Sequence, residues 1–111
     1  MAWSRKGTLL DIDAIIQQAE LIWPPRMKTR DGFEVVEEST EVKVLKKHKR
    51  QLPTDETNWR AAFTWFDNMN DDLKRFGQVS LAAHHHPEQW KKILNRVKTL
   101  KDRFPGRSPG R

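Results

Sequence analysis

Apolar residues recur along the first quarter of the chain at steps of three and four. Leu9, Ile12, Ile15, Ile16, Ala19 and Ile22 fall on one side of a helix with 3.6 residues per turn. The spacing predicts an amphipathic helix over 8–23, and Pro24-Pro25 ends it, because proline has no N–H to donate and keeps the preceding residue out of helical geometry. After the turn signal Asp31-Gly32 the pattern shortens. Phe33-Glu34-Val35-Val36-Glu37-Glu38 and, beyond Ser39-Thr40, Glu41-Val42-Lys43-Val44-Leu45 are rich in β-branched and aromatic residues. They predict two antiparallel strands with Phe33, Val35, Val42 and Val44 on the buried face. The helical period returns after a loop containing Pro53. Asn58 is placed as an N-cap, and Trp59, Ala62, Phe63, Phe66, Met69, Leu73 and Phe76 predict a central core helix that Gly77 ends or loosens. Trp90, Ile93, Leu94, Val97, Leu100 and Phe104 predict a last helix over 87–104, with Pro87 in its first turn.

These elements predict an α+β domain, a small antiparallel sheet packed on long amphipathic helices. It occupies residues 9–104, with an N-terminal arm over 1–8 and a flexible basic tail over 105–111, where proline, glycine and arginine dominate. A chain of 111 residues holds one modest core. Trp59, Trp65 and Trp90 fall in the core stripes, and Trp23 is placed to cover one edge of the core. No apolar run approaches the roughly 18 residues of a spanning helix, so no membrane insertion is expected. The basic start is followed by apolar residues mixed with acidic ones, without the core of a secretory leader. The absence of cysteine excludes a disulfide scaffold, a zinc finger and thiol chemistry, and fits an intracellular, reducing compartment.

The net charge of +6 is unevenly placed. Residues 1–56 hold ten basic and ten acidic groups, 57–86 three of each, and 87–111 eight basic against two acidic. A basic C-terminal segment on a neutral body points to a tail or one helix face rather than to a nucleic-acid-binding body. The run Lys46-Lys47-His48-Lys49-Arg50 reads either as a nucleic-acid or nuclear-localisation patch, or as a solvated strand end facing Glu37, Glu38 and Glu41.

His84-His85-His86-Pro87-Glu88 is the cluster with catalytic potential. Imidazole titrates near neutrality, so neighbouring histidines can serve one substrate as acid and base. The same residues also suit a polar loop that satisfies helix-end carbonyls. No second pair of His, Asp or Glu stands beside them at helical spacing, so no metal site is expected.

Three stretches together resemble the pterin-4a-carbinolamine dehydratases. They are Phe33–Glu38, then Asn58-Trp59-Arg60-Ala61-Ala62-Phe63-Thr64-Trp65-Phe66, then His85-His86-Pro87-Glu88 with Trp90, Asn95 and Val97. The resemblance implies removal of water from a pterin carbinolamine. His85 and His86 would act as acid and base, His84, Pro87 and Trp90 would lie on the substrate side, and neither metal nor other cofactor would be needed. The chain departs from the family by an inserted Gln89 and by Thr99-Leu100-Lys101-Asp102 where a third catalytic histidine belongs. The family's final helix has no counterpart, and the family would make 95–100 a strand, so a short helical turn over 87–93 is expected and the rest stays open between helix and strand. The alternative expectation is an inactive structural or binding subunit. It would self-assemble through the long central helix and dock on RNA or an acidic partner through Lys98, Lys101, Arg103, Arg107 and Arg111.

Overall fold

The computed structural model describes residues 2–104. Helix α1, Arg5–Ile22, starts where the Ser4 hydroxyl accepts the Gly7 N–H at 3.0 Å, a side-chain cap that satisfies one of the orphan donors of the first turn. It stops at Trp23, before the two prolines, and buries Ile12, Ile15, Ile16, Ala19 and Ile22 as the spacing requires.

The expected N-terminal arm is instead part of the domain. Trp3 is 2% exposed, its backbone N–H donates to the Glu56 carbonyl at 3.0 Å, and its ring meets Phe104 edge-on at 6.0 Å. A tryptophan this large adds enough apolar contact to anchor a chain segment that its polar neighbours would leave in water.

Strands β1, Arg26–Arg30, and β2, Phe33–Glu37, form an antiparallel hairpin in the register Arg30↔Phe33 through Arg26↔Glu37. Asp31 and Gly32 carry its two-residue turn with φ of +50° and +81°. The tight hairpin turn needs positive φ at both positions, which aspartate tolerates and glycine adopts freely. The partner of β2 is therefore the segment before the turn. The expected second strand, Glu41–Leu45, lies inside helix α2, Thr40–Arg50. Its capping serine, Ser39, accepts the Val42 N–H at 3.3 Å, Glu41 sits in the first turn, and four basic residues fill the last turn, each favourable to the helix dipole. Val42, Leu45 and His48 are buried three residues apart, so period three overrides the short alternation of Val42 and Val44.

Helix α3, Trp59–Val79, is capped by the Asn58 side chain, which accepts the Ala61 N–H at 3.0 Å. It runs through Gly77 rather than ending there. Glycine serves packing at that point, since a Cβ would come within 2.4 Å of the Trp90 ring. A five-residue helix α4, Leu81–His85, leads to α5, Pro87–Asp102, with proline at its start. Residues 95–100 are helical, as the periodicity predicts and against the strand of the resembled family.

The architecture is α+β, with helices around one core and a two-stranded sheet beside it. The most extensive helix packing is α1 against α5, followed by α1 against α2. Phe104 closes the core among Trp3, Trp59, Phe63 and Phe66 at centroid distances of 5.9–6.4 Å. The apolar stripe of α3, with Trp65, Phe66, Met69 and Leu73 each 5% exposed or less, is covered by its own chain. Of the residues expected to carry self-association through this helix, Phe66 and Phe76 are buried, and Trp59 and Phe63 are half-buried against the same core. No helix among the described residues is long and apolar enough to cross a membrane.

Candidate functional site

The three histidines come from the short α4 and the residue after it. His84 and His85 are adjacent on a helix, which turns them about 100° apart, and His86 is the residue preceding α5. All three are exposed. A cleft of about 530 Å³ at the foot of the hairpin is lined by Trp23, Arg26, Lys28, Glu37, Ser80 and Ala82 among others, and none of the three histidines reaches it. Pro87 is exposed at the start of α5. Trp90 is half-buried and has a packing role: its ring meets Trp23 edge-on at 6.2 Å and lies over Gly77. Among the described residues no group of three or more His, Asp or Glu could hold a metal ion.

A different histidine is positioned. His48, 8% exposed, places Nε2 2.6 Å from Asp72 Oδ2 across α2 and α3, and its carbonyl accepts the Trp65 indole N–H at 2.7 Å. Asp72 also pairs with Arg75. The imidazole borders a shallow groove of about 420 Å³ with Arg60, Thr64 and Asn68 on its rim. Within the sequence His48 was hidden in a basic run. The signal that places it inward is its step of three from Leu45 and six from Val42.

The cations divide into matched and unmatched sets. On α2, Lys43 pairs with Glu37 at 3.3 Å, Lys46 with Glu38, and Lys49 with Asp13 at 2.7 Å. The Glu38 carboxylate, through its hydrogen bond, holds the Lys46 ammonium above the usual lysine range. Most of the basic run is thus a charge-paired face, with Lys47 and Arg50 left exposed. On α5 the pattern is reversed. Lys91, Lys92, Lys98 and Lys101 are exposed and make no ion pair with any described residue. Lys91, Leu94, Lys98 and Lys101 follow steps of three and four, so three ammonium groups and one half-exposed leucine share one side of the helix over about 15 Å. Ile93 and Leu100 face the core on the other side.

Arg103 does not belong to the exposed set. Its guanidinium, with that of Arg96 at 3.3 Å, holds the Asp11 carboxylate, which is 1% exposed, and so ties α5 to α1. Buried carboxylates need such partners, and this one engages the guanidinium of an arginine whose side chain stays 32% exposed. Gly7 makes room for it: a Cβ there would fall 2.3 Å from Arg103 Nη1. Arg107 and Arg111, expected beside Lys98 and Lys101, lie outside the described residues.

Set against known proteins, the chain matches no family model, no curated protein and no solved structure.

Proposed function

We propose that the chain is a non-catalytic binding subunit that docks the phosphate backbone of RNA on the outer face of α5. The observation that supports this reading is the contrast between two basic helices. The lysines of α2 are largely matched by Glu37, Glu38 and Asp13, while the four exposed lysines of α5 have no carboxylate partner among the described residues. Unmatched cations along one rigid face exchange their counterions for phosphates, and the release of those counterions drives association. No exposed aromatic residue accompanies the lysines on this face, so the contact reads charge and not base sequence. Pterin dehydration rests on the sequence resemblance alone, since the three histidines are exposed and none of them lines the cleft at the foot of the hairpin.

Fluorescence anisotropy with a labelled single-stranded RNA over a salt series tests the reading. Three phosphate contacts give a slope of log K against log salt of about −2, and each Lys→Gln change at Lys91, Lys98 or Lys101 lowers its magnitude by about 0.7. An affinity that ignores salt, or that persists in the threefold glutamine variant, would refute it.

A further inference from the structure

Strand β2 places three large apolar residues in water: Phe33 is 74% exposed, Val35 41% and Val36 65%. A two-stranded hairpin is marginal by itself, and another strand along an open edge supplies both hydrogen bonds and apolar contact. The two edges of this hairpin differ. β1 carries Arg26, Lys28 and Arg30 at alternate positions, the kind of charged edge that discourages strand addition, and pairing it with its own copy would set cation against cation. β2 carries two carboxylates, Glu34 and Glu37, alongside its three apolar residues, and no backbone hydrogen bond from elsewhere in the described chain reaches it.

We propose that β2 is a self-pairing edge whose occupant is β2 of a second copy, antiparallel about Val35. In that register Val35 meets its own equivalent, Phe33 lies opposite Glu37 and Glu34 opposite Val36, so no like charges are directly apposed. Glu37 arrives already matched, by Lys28 at 2.9 Å and Lys43 at 3.3 Å. The product is a four-stranded sheet with β2 strands inside and basic β1 strands guarding both outer edges. In this register Val35 packs on its own equivalent and lies diagonally from Phe33 of the other copy, so a second copy supplies apolar contact without setting like charges opposite one another. The contact is independent of RNA docking on α5.

The chain contains no cysteine, so single thiols report cleanly. Val35→Cys sets two thiols across the two-fold axis with Cα atoms about 4.5–5.5 Å apart, within disulfide range. Thr29→Cys, on β1, is the matched control. Wild-type protein should sediment as a dimer that dissociates on dilution, and Val35→Cys should oxidise to a covalent dimer on the order of tenfold faster than Thr29→Cys. Val35→Lys should sediment as a monomer with unchanged helical circular dichroism. A wild-type monomer at all concentrations, equal oxidation rates at the two positions, or a dimer that survives Val35→Lys would overturn the proposal.

Discussion

Replacing Gly7 by alanine should change the sign of its effect according to whether Arg103 is present. Gly7 is helical, so alanine gains about 0.5–1 kcal/mol of helix preference. Its methyl group, however, would stand 2.3 Å from Arg103 Nη1 and 2.6 Å from Cζ. The guanidinium can retreat into solvent, since the Arg103 side chain is 32% exposed, but Asp11 at 1% cannot follow. Removing one partner of a buried carboxylate costs about 3–5 kcal/mol, and the low end applies because Arg96 remains at 3.3 Å. Gly7→Ala should therefore destabilise the wild type by about 2 kcal/mol, a Tm loss of about 8 °C for a domain of this size. In an Arg103→Ala background the same change should stabilise by about 0.5–1 kcal/mol. Urea unfolding followed by tryptophan fluorescence, with m-values compared across the four proteins, gives the coupling, expected at about 3 kcal/mol. The same sign for Gly7→Ala in both backgrounds would refute the idea that Gly7 exists to admit the arginine.

Met69 is fully buried on α3, so Met69→Ala should cost about 2–5 kcal/mol in the same assay, and a loss under about 1 would show that the helix is not the core element. His85→Ala with His86→Ala should shift stability by less than about 0.5 kcal/mol, and wild-type protein should leave the decay of a pterin carbinolamine at its buffer rate. Acceleration abolished by these substitutions would restore the acid–base reading. Hydrogen bonds from Lys28 and then Lys43 hold the Glu37 carboxyl below its ordinary value of 4.5. Its folded-state value is depressed, so its contribution to the hairpin is present above pH 4.5 and fades as pH falls through the lower, folded value. Amide exchange across β1 and β2 should accordingly accelerate in acid more steeply than intrinsic chemistry requires, and Glu37→Gln should remove that extra acid sensitivity.

The helices α1 and α3 and the start of α5 were legible because each repeats its apolar stripe and carries a boundary signal, Pro24-Pro25, Asn58 and Pro87, while 95–100 stayed open between helix and strand. α2 was not, because over five residues Val42 and Val44 mimic strand alternation, and the deciding helical contacts at Leu45 and His48 extend into a run that reads only as basic. β1 was missed for a related reason. Arg-Met-Lys-Thr-Arg has little strand character, and it pairs because the Asp31-Gly32 turn folds it back on β2. Charge showed where the excess lies, but not that Arg103 is committed to Asp11 while Lys98 and Lys101 stay exposed. That distinction depends on a contact between residues 92 positions apart, which no local pattern encodes.

The pairing of α1 with α5 also sets the order in which the domain can assemble. α1 is made before its main packing partner, with α2 and α3 between them, so Ile12, Ile15, Ile16 and Ala19 remain without most of their cover until α5 has been synthesised. The loop that must close is long, and its entropy is lost before the contact rewards it. A circular permutant opened between Asp31 and Gly32, with a short linker joining the α5 side to Trp3, would turn this distant contact into a local one, and should fold faster while ending in the same core.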